Sequence, residues 1–134
     1  CFVCLQGSGS CDEGIRKGRK DHQYCFCWRL KRYKRTFTLR CLQAGVINLT
    51  KTMALEWSRY GIQTNAVCPG YVVTEINKAE FKNEKFRDHV LKTIPQRRLG
   101  TVDEVAALVL FLASDMSGMI NGEAIVADMG AICG

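Results

Sequence analysis

The stretch "AGVINLTKTMALEWSRYGIQTNAVCPG", Ala44 to Gly70, decides the fold. Its first part carries Val46, Leu49, Met53, Trp57 and Tyr60 at steps of three and four, the period that aligns side chains on one face of an α-helix. Ile47 and Ala54 widen the stripe, so the helix is expected to be buried on two sides by core packing rather than to meet a cofactor. Gly61 supplies a C-terminal stop. Ile62 to Cys68 then alternates, with β-branched residues, and ends at the breaker Pro69-Gly70, which reads as a strand entering a loop. A helix that hands over to a strand within two residues is the returning arm of a crossover, and crossovers build parallel sheets.

Downstream, "FKNEKFRDHVLKTIP", Phe81 to Pro95, places Phe86, Val90 and Ile94 at helical spacing and stops at Pro95. Its charged remainder reads as a solvated face, with His89 a surface residue. "TVDEVAALVLFLASD", Thr101 to Asp115, opens with Thr101 and Glu104 in the capping-box relation and continues as an apolar stripe of Val102, Val105, Ala106, Val109, Leu112 and Ala113. "EAIVAD", Glu123 to Asp128, follows an Asn-Gly pair and predicts a last strand. Helix, strand, helical insertion, helix, strand is half of an open α/β sheet.

The first third differs in kind. The chain of 134 residues has a net charge of +6, yet residues 1–41 hold ten Lys/Arg against three Asp/Glu, and residues 42–134 hold nine against ten. The excess positive charge therefore belongs to the first third and does not make the α/β part a nucleic-acid binder. Cysteine follows the same division: Cys1, Cys4, Cys11, Cys25, Cys27 and Cys41 precede only Cys68 and Cys133, so the later part is expected to lack a disulfide framework. No apolar run approaches the roughly 20 residues that span a bilayer. No signal-peptide pattern is present, and a cytoplasmic location is expected. A chain that opens on Cys1 rather than Met is expected to be a piece of a longer one.

The motifs "AGVINLTKTMALEWSRYGIQTNAVCPGYVVTE", "IPQRRLGTVDEVAALVLFLASD" and "INGEAIVADMG", in this order, resemble the C-terminal half of the short-chain dehydrogenases/reductases. The resemblance covers about Ala44 to Gly130. It implies a Rossmann-like, doubly wound parallel sheet, NAD or NADP as cofactor, and hydride transfer between the nicotinamide and an alcohol or ketone. It also implies that Pro69-Gly70 turns beside the nicotinamide, that the Val72 backbone meets the carboxamide, and that the Thr74 hydroxyl binds the carboxamide or a phosphate. Sites beyond the carboxyl ends of strands fit open α/β folds. Residues from about Glu75 to Pro95 match the family's variable substrate lid. The texture of "TKTMALEW" and "PGYVVTE" points to sugar acids such as gluconate, or to 3-oxoacyl thioesters. The family's Asp-Gly-Gly is Asp128-Met129-Gly130 here, and Met is expected to strain a turn that needs positive φ.

The family's chemistry requires a Tyr four residues before a Lys, and a Ser about thirteen before the Tyr. The Lys would immediately precede Ala44, where Gln43 stands, so the slots for Ser, Tyr and Lys fall at Phe26, Leu39 and Gln43. None of Tyr24, Tyr33, Tyr60 and Tyr71 has a Lys four places on. "GSGSCDEG" has the wrong spacing for a Gly-rich phosphate loop. As written, the chain lacks both the catalytic pair and that loop.

One explanation is a reading-frame shift over residues 1–43, with 44–134 the C-terminal part of the family's domain. Shifted by one base, "DHQYCFCWRLKRYKRTFTLRCL", Asp21 to Leu42, admits "IINIASVGGLKGTSGPLHYAAS"; Trp28 before Arg29 forces a Gly, and Gln23 before Tyr24 permits only Asn or Ser. The admitted Ser and Tyr fall on the slots of Phe26 and Leu39. Taken at face value instead, the irregular first third is a basic, Cys-rich module, with Cys1, Cys4, Cys25 and Cys27 as zinc ligands and "RLKRYKR" as a nucleic-acid patch. The spacing of the second Cys pair fits no common zinc finger. A third reading is a non-catalytic partner that forms a homo-oligomer through the helix of residues 44–60, which the resemblance makes a dimer surface.

Overall fold

The computed structural model describes residues 2–7 and 37–133, with side chains from residue 41 onward. The elements are β1 (Phe2–Gly7), α1 (Phe37–Trp57), β2 (Ile62–Pro69), α2 (Glu84–Lys92), α3 (Val102–Leu112) and β3 (Ala124–Ala127). The strands form one sheet in the order β1-β2-β3. β2 and β3 are parallel, with Ala66 opposite Ala124 and Pro69 opposite Ala127. The expected crossover is therefore present.

On the other side of β2, β1 adds an antiparallel edge, with Phe2 opposite Val67 and Gly7 opposite Ile62. The middle of β2 is buried, and its main-chain groups need partners that a strand of either direction can supply. β1 lies within residues 1–43, and α1 starts at Phe37, ahead of Ala44.

β2 divides the core because adjacent side chains of a strand face opposite sides. Ala66 packs against Val46 and Ile47 of α1 with Cys68 and Ala124. Val67 and Leu112 pack on the other side with Val105, Leu108, Val109, Ile120 and Ile125. Thus α1 covers one face of the sheet and α3 the other, the layering of a doubly wound fold. Full burial of each large aliphatic side chain here contributes about 1.5–3 kcal/mol. A third cluster of Val90, Ile94 and Ala131, with Tyr71, Phe81, Phe86, Leu99 and Met129, docks α2 onto the loops that follow β2 and β3.

The buried line of α1 is Gln43, Thr50 and Ala54, flanked by Val46, Ile47, Met53 and Trp57. Leu49 and Tyr60 lie outside it, and Leu55 is 83% exposed, so burial on two sides does not hold. Thr50 tolerates burial because its hydroxyl donates to the Val46 carbonyl at 2.8 Å. The helix passes into a 3-10 turn at Ser58–Tyr60, closed by Gly61 in the left-handed region. In α3 the inward line is Val105, Leu108, Val109 and Leu112, whereas Val102 and Ala106 face outward. Cys68 is disulfide-bonded, contrary to the expected absence of such bonds, while Cys41 and Cys133 are free.

A polar clamp fixes β2 to the link before β3. The Gln63 side-chain amide donates to the carbonyls of Ser117, Gly118 and Ile120. Buried Asn65 donates to the Ile120 carbonyl at 2.7 Å and accepts from the Glu123 N–H at 3.1 Å. Asn121 accepts from the Thr64 N–H at 2.8 Å and donates to the Ser58 hydroxyl at 2.6 Å. Buried amides paired at both ends of the side chain are specific as well as tolerable.

Candidate functional site

The site lies where β2 and β3 end side by side. The Gly70 N–H donates to the Ala127 carbonyl at 3.0 Å. A Cβ on Gly70 would lie 2.7 Å from both Cα and Cβ of Asp128, so only glycine fits without displacing the neighbouring backbone. Asp128 is buried, and its Oδ1 accepts from the N–H groups of Gly130 and Ala131 at 3.0 and 3.1 Å. Its Oδ2 has no hydrogen-bond partner among the described residues. Met129 adopts φ 60° and Gly130 φ 82°. Met129 therefore takes the left-handed conformation at a local cost of about 1–2 kcal/mol, offset by the Asp128 bonds and by its packing in the Val90–Ile94 cluster.

Beyond Gly70 the chain runs alongside Gly100. Gly100 N–H donates to the Tyr71 carbonyl at 2.8 Å, and Val73 N–H donates to the Gly100 carbonyl at 3.2 Å, a parallel bridge centred on Val72. Asn77 reaches back over the next turn: its Oδ1 accepts from the Thr74 N–H and its Nδ2 donates to the Val72 carbonyl, each at 2.8 Å. The Val72 N–H and the Thr74 hydroxyl make no hydrogen bond among the described residues. Both are half-buried.

The far side of this loop is tied to α3. Thr101 caps α3, accepting from the Glu104 N–H, while the Glu104 carboxylate accepts from the Thr101 N–H at 2.9 Å. Arg98 closes an ion pair on Glu104 at 2.7 Å. The hydrogen bond from Arg98, then that from the Thr101 backbone, lowers the Glu104 pKa to about 2, and Glu104 in turn raises that of Arg98.

Pro69, Gly70, Val72 and Thr74 are thus brought together on one pinned loop. Gln43 is 98% removed from solvent, one helical turn before Val46 and Ile47. Four helical residues rise about 6 Å, roughly two strand residues, which carries Gln43 from the level of Ala66 toward the carboxyl end of β2. Its Nε2 has no partner among the described residues. Leu39 lies in the first turn of α1, and Phe26 falls outside the described residues. Of the cysteines offered as zinc ligands, Cys4 is in β1, and Cys1, Cys25 and Cys27 lie outside the described residues, as does "RLKRYKR". The described residues contain no group of three or more His, Cys, Asp or Glu that could hold a metal. Asp128, Gly100 and Asn77 belong to the site without having been expected there.

The family described as "Enoyl-(Acyl carrier protein) reductase" matches residues 35–131. The chain belongs to the short-chain dehydrogenase/reductase family. This short-chain dehydrogenase/reductase chain is 46% identical over 91 residues to a probable 2,4-dienoyl-CoA reductase of Bacillus subtilis strain 168, covering 66% of the chain and 35% of the relative. It is 39% identical over 88 residues to gluconate 5-dehydrogenase of Gluconobacter oxydans strain 621H, covering 66% and 34%. A crystal structure of a gluconate 5-dehydrogenase from Burkholderia cenocepacia J2315, in complex with NADP and tartrate, superposes with a TM-score of 0.68 at 38% identity, over 73% of this chain and 38% of that one. The chain spans about a third of the length of the relatives it matches. Members of the family use NAD(P). Gly70 admits the close approach of Asp128, and the loop after it carries an unengaged Val72 N–H and an unengaged Thr74 hydroxyl among the described residues. Among the described residues, no helix is long and apolar enough to cross a membrane.

Proposed function

We propose that this chain carries the nicotinamide-facing loop and the substrate lid of an NAD(P)-dependent oxidoreductase. Its complete form moves a hydride between the nicotinamide and a secondary alcohol or ketone. The observation behind this reading is the loop Pro69–Thr74, pinned through Gly70 against Asp128 and presenting the Val72 N–H and the Thr74 hydroxyl. Val72 and Thr74 hold the carboxamide, with Thr74 also within the family's choice for a phosphate. The cofactor, when bound, supplies the hydride donor or acceptor. Gln43 at the lysine slot supplies no positive charge, and no tyrosine stands four residues before it, so this chain does not by itself carry the proton step.

α2 and the residues from Glu75 to Pro95 form the lid over the substrate. Relatives named gluconate 5-dehydrogenase and acetoacetyl-CoA reductase support a sugar acid or a 3-oxoacyl thioester as the substrate class. The outward side of α1, with Leu49 and Leu55, is the surface for a homo-oligomer. The frame-shift reading of residues 1–43 accounts for the missing Tyr and Lys, and sequencing the transcript across codons 20–50 tests it. A transcript that encodes the written residues without a shift sinks that reading.

Titrating the isotope-labelled 134-residue chain with nicotinamide mononucleotide tests the loop assignment. Amide shifts are expected to concentrate at Gly70, Val72 and Thr74. Shifts absent or scattered over the surface refute it.

A further inference from the structure

We infer that Asn77 is a positioning residue for the nicotinamide carboxamide: it holds the Val72–Thr74 segment open-handed, with its own backbone groups braced and its binding groups left over. The inference rests on the reading of this loop given under the proposed function. Asn77 does two jobs with one side chain. Its Oδ1 takes the Thr74 N–H and its Nδ2 caps the Val72 carbonyl, both at 2.8 Å. The Asn77 and Lys78 N–H groups return to the Thr74 carbonyl at 3.2 and 3.0 Å, so the brace is locked into the turn that follows.

This division of labour explains the exposed chemistry. At an ordinary helical start the Thr hydroxyl itself accepts from the backbone N–H two or three residues on. Here the third residue reaches back to Thr74, and the Thr74 hydroxyl makes no such bond. The residue is set to offer a hydroxyl, and Val72 an N–H, in a fixed relation to one another. An amide ligand such as the carboxamide can use both, accepting from the N–H and exchanging a hydrogen bond with the hydroxyl. Asn is the side chain that supplies an acceptor and a donor at the same distance from the backbone; Asp supplies only the acceptor.

The test uses the full 134-residue chain with nicotinamide mononucleotide as probe. Asn77→Ala is expected to speed exchange of the Thr74 amide and to weaken binding about 10-fold, the equivalent of about one lost hydrogen bond. Asn77→Asp is expected to preserve protection of the Thr74 amide yet still weaken binding, because the Val72 brace is gone; this split is one that a merely structural role does not give. Unchanged binding in both variants, against a wild type that binds, overturns the role of Asn77 and leaves the loop assignment intact. A wild type that does not bind overturns the loop assignment, and the role of Asn77 with it. If Asn77→Ala fails to fold, Asn77→Asp alone decides: wild-type affinity overturns the inference.

Discussion

Replacing Gly70 by alanine puts a methyl carbon 2.7 Å from both Cα and Cβ of Asp128. Carbon atoms rest at about 3.5–4.0 Å, so the ends of β2 and β3 must part by about 1 Å. That movement stretches the bond from Gly70 N–H to the Ala127 carbonyl, now 3.0 Å, out of hydrogen-bonding range. Overpacking of this kind costs about 1–3 kcal/mol, and the lost bond about 1 kcal/mol more. Gly70→Ala is therefore expected to lower unfolding free energy by about 2–4 kcal/mol, read by urea titration of the intact chain. Gly45→Ala is the control: it lies inside α1, nothing approaches its would-be Cβ within 4 Å, and it should stabilise by about 0.5–1 kcal/mol. A Gly70→Ala chain as stable as wild type would refute the claim that close strand approach fixes this loop.

Leu112→Ala, which empties the Val67 side of the core, is expected to cost about 2–5 kcal/mol by the same titration. Asn65→Ala leaves the Ile120 carbonyl and the Glu123 N–H without their partner and should cost about 2–3 kcal/mol; a loss under about 0.5 kcal/mol means the clamp is not a stabilising contact. For Glu104 the folded pKa of about 2 lies below the ordinary 4.5, so its stabilising contribution is whole above about pH 4.5 and is lost as pH falls toward 2. Glu104→Gln should flatten the acid limb of the stability profile in that window, and an unchanged limb would show that the Arg98 pair does not set it.

Features that depend on near neighbours in sequence were legible. The capping box of Thr101 and Glu104 needs only a spacing of three, and both of its hydrogen bonds are present. β2, β3 and the helices between them follow from periodicity and breakers. Which face of α1 is buried was not legible, because a hydropathy reading prefers Leu49 to Thr50, and the Thr50 hydroxyl cancels its own polarity against Val46. The loop Pro69–Thr74 was recognisable as a motif, but the reason for Gly70 is a contact with Asp128, far along the chain, which no local pattern reveals. Asn77 had a signal in hindsight, the spacing Thr74-x-x-Asn77, masked by its place in a segment read as variable lid. Met129 shows the opposite error: steric preference argued against its conformation, and buried contacts outweighed it.

The amide clamp on β2 also sets a clock. Its bonds join residues 54 to 63 positions apart, from Gln63–Ser117 at one extreme to Ser58–Asn121 at the other. Closure over such separations is slow compared with forming α2 or α3, whose contacts are local. On the ribosome β2 emerges long before β3, and Gln63 and Asn65 stay hydrated until the link at Ser117–Glu123 arrives. Before that moment the β3 side of β2 is an open edge, the kind of surface through which nascent chains pair with one another. Pairing of the four residues of β3 covers that edge and thus ends the period in which this side of β2 is open to other chains.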